Sequence, residues 1–541
     1  MQLFFKLFLF SLLFFNQKQP ADLIVYNAKI YTVDSGFTIA EAMAVKEGKI
    51  VATGTTKMIR SGYVATENFD AHGKTIYPGF IDAHAHFVAY AIGLNAANLV
   101  GTTSWHAVLK KLQSFAQTHR EGWLVGRGWD QNDWPEKEFP TNTQLDSLFP
   151  GRPVFLERVD GHAAIANTEA LRQAGVKAGR ELTGGTVEIK DGNLTGILID
   201  NATSLVSSKI PGPTATEAVK AVLDAQQACF EVGLTTVDDC GLEYQKILAL
   251  DSLQKQGELK IRIYAMLSDA TENYAFAKQH GRLKTDFLNV RAFKVYADGA
   301  LGSRGACLLQ PYSDKPGWTG FLLSAQTHFD SVAQIINDLG FQMCTHAIGD
   351  SGNRTMLNIY AKQLGGKNDK RWRIEHAQVV SDGDFKLFGQ YSIIPSVQPT
   401  HATSDMYWAG QRLGNERERG AYAYKRLLQQ NGWLPLGTDF PVEDISPFKT
   451  FYAAVWRQDA TGFPKGGYQM ENALTREQAL RGITIWAARS NFEEGEKGSL
   501  ERGKFADFVM LDTDLMQAPA NAVLHTNVLA TFLGGKAVYK K

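Results

Sequence analysis

Two histidines flank a single alanine at the end of an apolar run in "YPGFIDAHAHFVAY", residues 77–90. In an extended strand, side chains two apart point to the same face, so His84 and His86 would present two imidazoles together. Neutral imidazole is a favoured metal ligand, and a pair at this spacing is half of a site. The other reading of the pair is two hydrogen-bonded polar residues near a strand end. The choice depends on what the rest of the chain brings to the same place.

Four later positions could complete the site. Lys294 lies in "VRAFKVYADG", His346 in "FQMCTHAIGD", His376 in "WRIEHAQ" and Asp439 in "NGWLPLGTDFPV". Each has an ordinary explanation on its own. A strand-end histidine is more often a hydrogen-bonded core residue, Lys294 could pair with nearby Asp298, and Asp439 could cap a turn or helix. What changes the balance is the kind of element each residue sits on.

Short apolar strands alternate with amphipathic helical stretches through the middle of the chain, the pattern of βα units around a parallel sheet. Eight strand candidates occur in order: "TIYPGFIDAHAHF", "GLTTVDDC", "IRIYAMLSDA", "VRAFKVYADG", "FQMCTHAIGD", "WRIEHAQ", "YSIIPSVQPT" and "NGWLPLGTDFPV". Eight such units predict an α/β fold of the TIM (β/α)8 barrel type, in which the C-terminal strand ends surround one pocket. His84, His86, Lys294, His346, His376 and Asp439 all lie at or near such ends. Residues hundreds apart in sequence are thereby expected to converge.

The gap between the first two strand candidates is too long for one helix. Residues of about 100–215 are read as an inserted subdomain, with a hairpin "TVEIKDGNLTGIL" turning at Asp191-Gly192. Strand-rich ends, 22–76 and 503–541, predict a small β-sandwich domain assembled from both termini around a barrel of 77–502. Residues 1–20 are set apart. Their apolar run Leu7–Phe15 is short for a membrane span and reads as a secretory signal or an N-terminal anchor, which favours an exported, periplasmic or membrane-anchored protein.

Composition removes other classes. Lys plus Arg and Asp plus Glu both number 56, for a formal net charge of zero, and no polybasic block occurs. Nucleic-acid binding therefore has no electrostatic basis. The four cysteines form no CxxC pair, which argues against a disulfide scaffold and against a thiolate zinc site.

The motifs "PGFIDAHAH", "FKVYADGALGSRGA", "THAIGD", "IEHAQ" and "LGTDFPV" together resemble the amidohydrolase superfamily. They are most similar to its amidohydrolase-3 branch, which includes YtcJ-like proteins and N-substituted formamide deformylases. "GRGWDQNDWP", "VDGHAAIANTEAL", "GLTTVDDCG" and the C-terminal "GSLERGKFADFVMLD" agree less specifically, and the resemblance runs from about Asp22 to the end of the chain. It implies that His84, His86 and Asp439 bind one divalent metal, zinc by ligand chemistry, and that His346 and His376 bind a second. Lys294 would bridge the two as a carbamate, with a one-metal site as the fallback.

The implied reaction is hydrolysis of a non-peptide amide or formamide C–N bond in a small molecule. Metal-activated water would attack while Asp439 moves the proton. A one-metal deaminase or cyclic-amide hydrolase, or a non-catalytic scaffold relative, are the alternatives. The deaminase form usually carries a glutamate beside the fifth-strand histidine, and "THAIGD" has none. His162, Arg304, Trp129 and Asp130 are weaker candidates for substrate binding, and Trp134 for the pocket lining. Cys344, two residues before His346, is given no role. The implied partners are the amide substrate and a second copy of the chain in a homodimer.

Overall fold

The computed structural model describes residues 18–179 and 182–541, so the apolar run Leu7–Phe15 lies outside the described residues. Seven strands form a continuous parallel ladder. They are Phe80–Ala85, Leu234–Leu242, Arg262–Ser268, Leu288–Tyr296, Gln342–Ala347, Arg373–His376 and Ile394–Ser396. Most of their residues are buried whichever face they point to. That is expected of a parallel sheet with helices outside and packed side chains within, and it explains the near-continuous apolar runs in the sequence.

The eighth barrel position is taken by segment 434–439, which is held by individual hydrogen bonds instead of a ladder. Gly437 N donates to Val397 O on the seventh-strand side. On the first-strand side, Ala83 N donates to Leu436 O and Asp439 N donates to His84 O at 2.7 Å. Two features break the regular ladder. Pro435 has no N–H to offer, and at Gly437 a Cβ would sit 2.5 Å from His84 N, so only glycine permits the approach.

The outer helices follow the usual amphipathic logic. Gln326–Leu339 buries Phe329, Val332, Ala333 and Ile336, one face of a helix, and stops at Gly340 in the left-handed conformation. The inserted segment builds its own six-stranded sheet from strands between Ala97 and Asp200. Its last hairpin turns through Asp191 and Gly192, both at positive φ, as the Asp-Gly pair requires.

Two more sheets involve the chain ends. A four-stranded sheet uses strands between Gln19 and Asp70; the first, Gln19–Tyr26, begins ahead of Asp22, where the sequence pattern opens. A six-stranded sheet joins both ends of the chain, with Thr75–Pro78 antiparallel to Phe508–Leu511. Leu23, Val25, Met43, Ile76, Phe508 and Phe532 belong to one buried apolar cluster drawn from both sheets.

One ion pair ties the barrel to the C-terminal strands. Arg262, on the third barrel strand, donates through Nε and Nη2 to the two oxygens of Asp507 at 2.6 and 2.9 Å, with both side chains buried. Removing one partner strands the other charge, which typically costs about 3–5 kcal/mol. Asp507→Ala is therefore expected to lower the urea unfolding midpoint markedly. A midpoint within error of wild type would show that this pair does not hold the two parts together.

Candidate metal centre

The barrel closure brings the first and eighth strands together at their C-terminal ends, and the candidate ligands meet there. Asp439 Oδ1 lies 3.5 Å from His84 Nε2 and 3.3 Å from His86 Nε2. On its other side, Asp439 Oδ2 lies 3.6 Å from His401 Nε2. Donor atoms of His84, His86 and Asp439, and separately of His376, His401 and Asp439, all fall within 4.8 Å of one another. Asp439 and His376 both have positive φ, 65° and 72°, a conformation that non-glycine residues adopt at a cost and that clusters at functional sites.

Burial sets the protonation. It drives the His84 pKa down to about 4, with the Lys294 ammonium adding to the effect, and it holds His346 and His376 well below the ordinary histidine value. Neutral imidazoles with free lone pairs are the form that ligates metal. Burial opposes ionisation of Asp439, but the surrounding His84, His86 and His376 rings outweigh it and keep the group a carboxylate. Lys294 Nζ stands 3.1 Å from His84 Nε2. Burial works against its charge, and Tyr296, Cys240, Glu375 and Asp439 around it hold its pKa above the usual lysine value. Asp298 is not its partner; that carboxylate accepts the backbone N–H groups of Cys307, Ile348 and Gly349.

Several polar atoms here lack a hydrogen-bond partner among the described residues. His346 Nε2, His401 Nε2, Asp439 Oδ1 and Glu375 Oε1 are buried without a hydrogen bond. Leaving such a group unsatisfied costs about 1–3 kcal/mol each, more for charged groups. A divalent cation would satisfy the imidazole and Asp439 atoms facing the centre, and imidazole with carboxylate is a donor set that suits zinc. The residues fit the group.

Glu375 and His401 are the two site residues that the sequence reading did not name. Glu375 Oε2 accepts from His84 Nδ1 at 2.6 Å, with both side chains fully buried, which fixes the tautomer that leaves Nε2 free. Behind it, Arg373 contacts Asp238 at 3.0 Å, and Asn491 donates to Asp238 at 2.5 Å. Simple alternation puts Glu375 and His376 on opposite faces. The strand leaves extended geometry at His376 and Ala377, so both side chains serve the same centre. His401 follows Thr400, where the seventh-strand motif stops, and a histidine just past a barrel strand's C-terminal end was the available signal.

A cavity of about 680 Å³ opens over the centre, lined among others by Tyr90, Asp130, Arg158, His162, Tyr296 and Trp408. His162 thus reaches the cavity, and its ring lies 4.9 Å from that of His346. Its Nδ1 bonds Asp200 at 2.6 Å; burial opposes its charge, yet Asp200 carries its pKa up to about 9. Asp130 also reaches the cavity and is tied to Arg158 at 2.5 Å.

Other expected residues are held elsewhere. Trp129 is not a cavity residue: it is fully buried in the insertion's core, where its indole donates to Leu156 O. Trp134 packs beside it and donates to Thr102 O. Arg304 is turned to Asp314 at 2.9 Å and braces its own loop. Cys344 lies in a buried cluster with Cys240, Tyr264, Met266 and Ala292, in the barrel interior.

Imidazoles and a carboxylate gathered at the strand ends of a barrel are a donor set that suits a divalent metal. The sequence model described as "Amidohydrolase family" matches residues 67–539, and the chain belongs to that family. Protein LONG AFTER FAR-RED 3 of Arabidopsis thaliana is 32% identical, over 96% of this chain and 92% of its own. N-substituted formamide deformylase of Arthrobacter pascens is 25% identical, over 97% and 99%. The crystal structure of a metal-dependent hydrolase from Pyrococcus horikoshii superposes with a TM-score of 0.75 at 26% identity, covering 92% of this chain and 99% of that one.

The Glu375 bond gives a direct test. Partners of metal-bound histidines typically contribute about 10–100-fold to metal affinity. Glu375→Gln is expected to weaken the tightest zinc binding by that factor in competition with a chromogenic chelator, and unchanged affinity would rule out a positioning role.

Proposed function

We propose that this chain hydrolyses a non-peptide C–N bond, an amide or formamide, in a small molecule, with a divalent cation, zinc by donor chemistry, held by His84, His86 and Asp439. The observation that carries this reading is the convergence of those three donors, one of them a buried carboxylate oxygen without a hydrogen-bond partner among the described residues, with His86 and Asp439 lining the cavity. Likeness to the formamide deformylase supports the choice of bond. A cavity of about 680 Å³ is of the size that encloses a small molecule.

A bound cation would polarise the substrate carbonyl and lower the pKa of a water toward neutrality. Asp439 Oδ1 faces His84 and His86, which leaves Oδ2 to accept the proton of the attacking water and return it to the leaving nitrogen. Glu375 keeps His84 in the ligating tautomer. Apart from Lys294 at the centre itself, the cations of the cavity wall are already paired: Arg127 with Glu157, Arg158 with Asp130, His162 with Asp200 and Lys449 with Asp444. That pairing favours an amide without a free carboxylate.

Lys294 links loading to chemistry. Its ammonium beside His84 Nε2 repels a cation, so metal binding is coupled to loss of that proton or to reaction with CO2, which converts the lysine to an anionic carbamate. We also read Leu7–Phe15 as an export signal or anchor, which fractionation of the expressing cells would test.

Purified protein is expected to contain zinc or a related divalent ion and to cleave members of a panel of N-formyl and N-acyl amines in a chelator-sensitive way. Absence of both metal and hydrolysis would overturn the reading in favour of a non-catalytic relative. Asp439→Asn is expected to cut turnover by about 10²–10⁴-fold, the range for a positioned proton-transfer group; normal turnover would exclude Asp439 as proton carrier. Because the cation competes with the Lys294 proton, apparent zinc affinity should rise with pH in wild type, and this dependence should be shallower in Lys294→Ala.

A further inference from the structure

We propose that His162, held by Asp200, is a catalytic hydrogen-bond donor that the insertion supplies to the barrel, its Nε2–H donating to the substrate's carbonyl oxygen as that oxygen gains negative charge. The inference rests on the amide hydrolysis proposed above and adds to it a residue that binds no metal.

Backbone pairing places the two residues. Ala163 faces Ile199 across the antiparallel strands Ala163–Ala166 and Asn193–Asp200, and just beyond them Asp200 N donates to His162 O at 2.8 Å. Asp200 has a positive φ of 51°, a strained conformation for a residue other than glycine. Its side chain is fully buried against the loop that follows the fourth barrel strand. A Cβ at Gly299 or at Gly305 would collide with its carboxylate, so that loop is shaped to admit it.

Among the described residues, His162 is the one cationic side chain in contact with Asp200, and Asp200 Oδ2 has no hydrogen-bond partner. A carboxylate buried this deeply persists only when paired. His162 Nδ1, at 2.6 Å from Oδ1, is its partner. An ion pair of this kind makes His162 an imidazolium, and both ring nitrogens of an imidazolium are donors. Nδ1 is committed to Asp200, which leaves Nε2 for a ligand.

The ring lines the cavity at the end of a row of imidazoles. Centroids are 4.9 Å apart from His162 to His346, 4.6 Å from there to His376 and 4.7 Å from there to His84. His162 thus meets a substrate from the insertion side and Asp439 meets it from the barrel side. Every amide brings one strong acceptor, its carbonyl oxygen. Asp439 serves the water and the leaving nitrogen, so the oxygen is the reacting atom that no side chain yet serves. A donor fixed in advance where charge develops stabilises the transition state more than the ground state.

The test uses the full chain as wild type, His162→Ala, His162→Gln and Asp200→Asn, each loaded with zinc and checked for folding by circular dichroism. Zinc per chain is counted, and kcat and KM are measured on a panel N-acetyl amide. Binding of two inhibitors is compared: the amine product, and the methylphosphonamidate analogue, whose two oxygens mimic the tetrahedral adduct. His162→Ala should hold zinc as wild type does while its kcat falls by about 10²–10³-fold, the range for loss of one such donor. Its affinity for the phosphonamidate should fall by about 10–100-fold, the worth of a hydrogen bond to a charged group, and its affinity for the amine should not change. His162→Gln, which restores an N–H, should recover part of the loss in kcat. Asp200→Asn, which loosens the hold on the ring, should lower kcat and keep zinc.

The proposal is overturned if His162→Ala or Asp200→Asn retains normal kcat, if His162→Ala loses zinc, or if its affinities for the two inhibitors fall together, as a merely structural role would require. A wild type that neither binds zinc nor hydrolyses a panel amide overturns the metal-dependent reading itself.

Discussion

The hydrogen bond from Asp439 N to His84 O is the contact on which the centre depends. It joins the last barrel position to the first, and the two residues it links are both candidate ligands. Gly437 permits the approach, and Asp82 secures it, accepting from Thr438 N at 2.9 Å and from the Thr438 hydroxyl at 2.6 Å. Closure of the barrel and assembly of the His84–His86–Asp439 group are thus one event. A barrel left open at this seam would separate the carboxylate from both imidazoles.

Closure alone would not suffice, because the barrel interior beneath the centre is polar and must be satisfied. Glu375, Arg373, Asp238 and Asn491 form a fully buried chain that starts at His84 Nδ1. Charges buried this deeply persist only when paired. The chain therefore fixes His84 rigidly, but any break in it would leave an uncompensated charge under the candidate metal site. Rigidity here comes from electrostatics, whereas the helices outside are held by ordinary apolar packing.

Much of this was legible in the sequence, for identifiable reasons. Seven of the eight expected strand segments appear in a parallel ladder, because strands buried on both faces leave continuous apolar runs between amphipathic helices. Hairpins such as Asp191-Gly192 announce themselves because only a few residues tolerate two positive φ values in succession. The irregular eighth strand was visible as a motif, but its replacement of a ladder by single bonds depends on Pro435 and on the close approach at Gly437. Glu375 escaped because alternation fails where His376 turns out of the strand. Trp129 and Arg304 show the converse: their residue types suit a binding pocket, yet only tertiary packing determines that one fills a core and the other braces a loop.

The division between barrel and insertion explains why chemistry is easier to read than substrate. The donors come from strand ends whose relative positions follow from barrel geometry, so residue type and strand order nearly determine their meeting. The opposite wall comes from the insertion, where Asp130, Arg158, Asp160 and His162 occupy one another or Asp200 before any ligand arrives. A wall whose charges, Asp133 apart, are internally paired selects by shape and by the few hydrogen-bonding atoms left over. Those properties depend on loop conformation and not on any short motif. Discrimination among ligands therefore resides in the part of the chain whose spacing in sequence says least about its spacing in the fold.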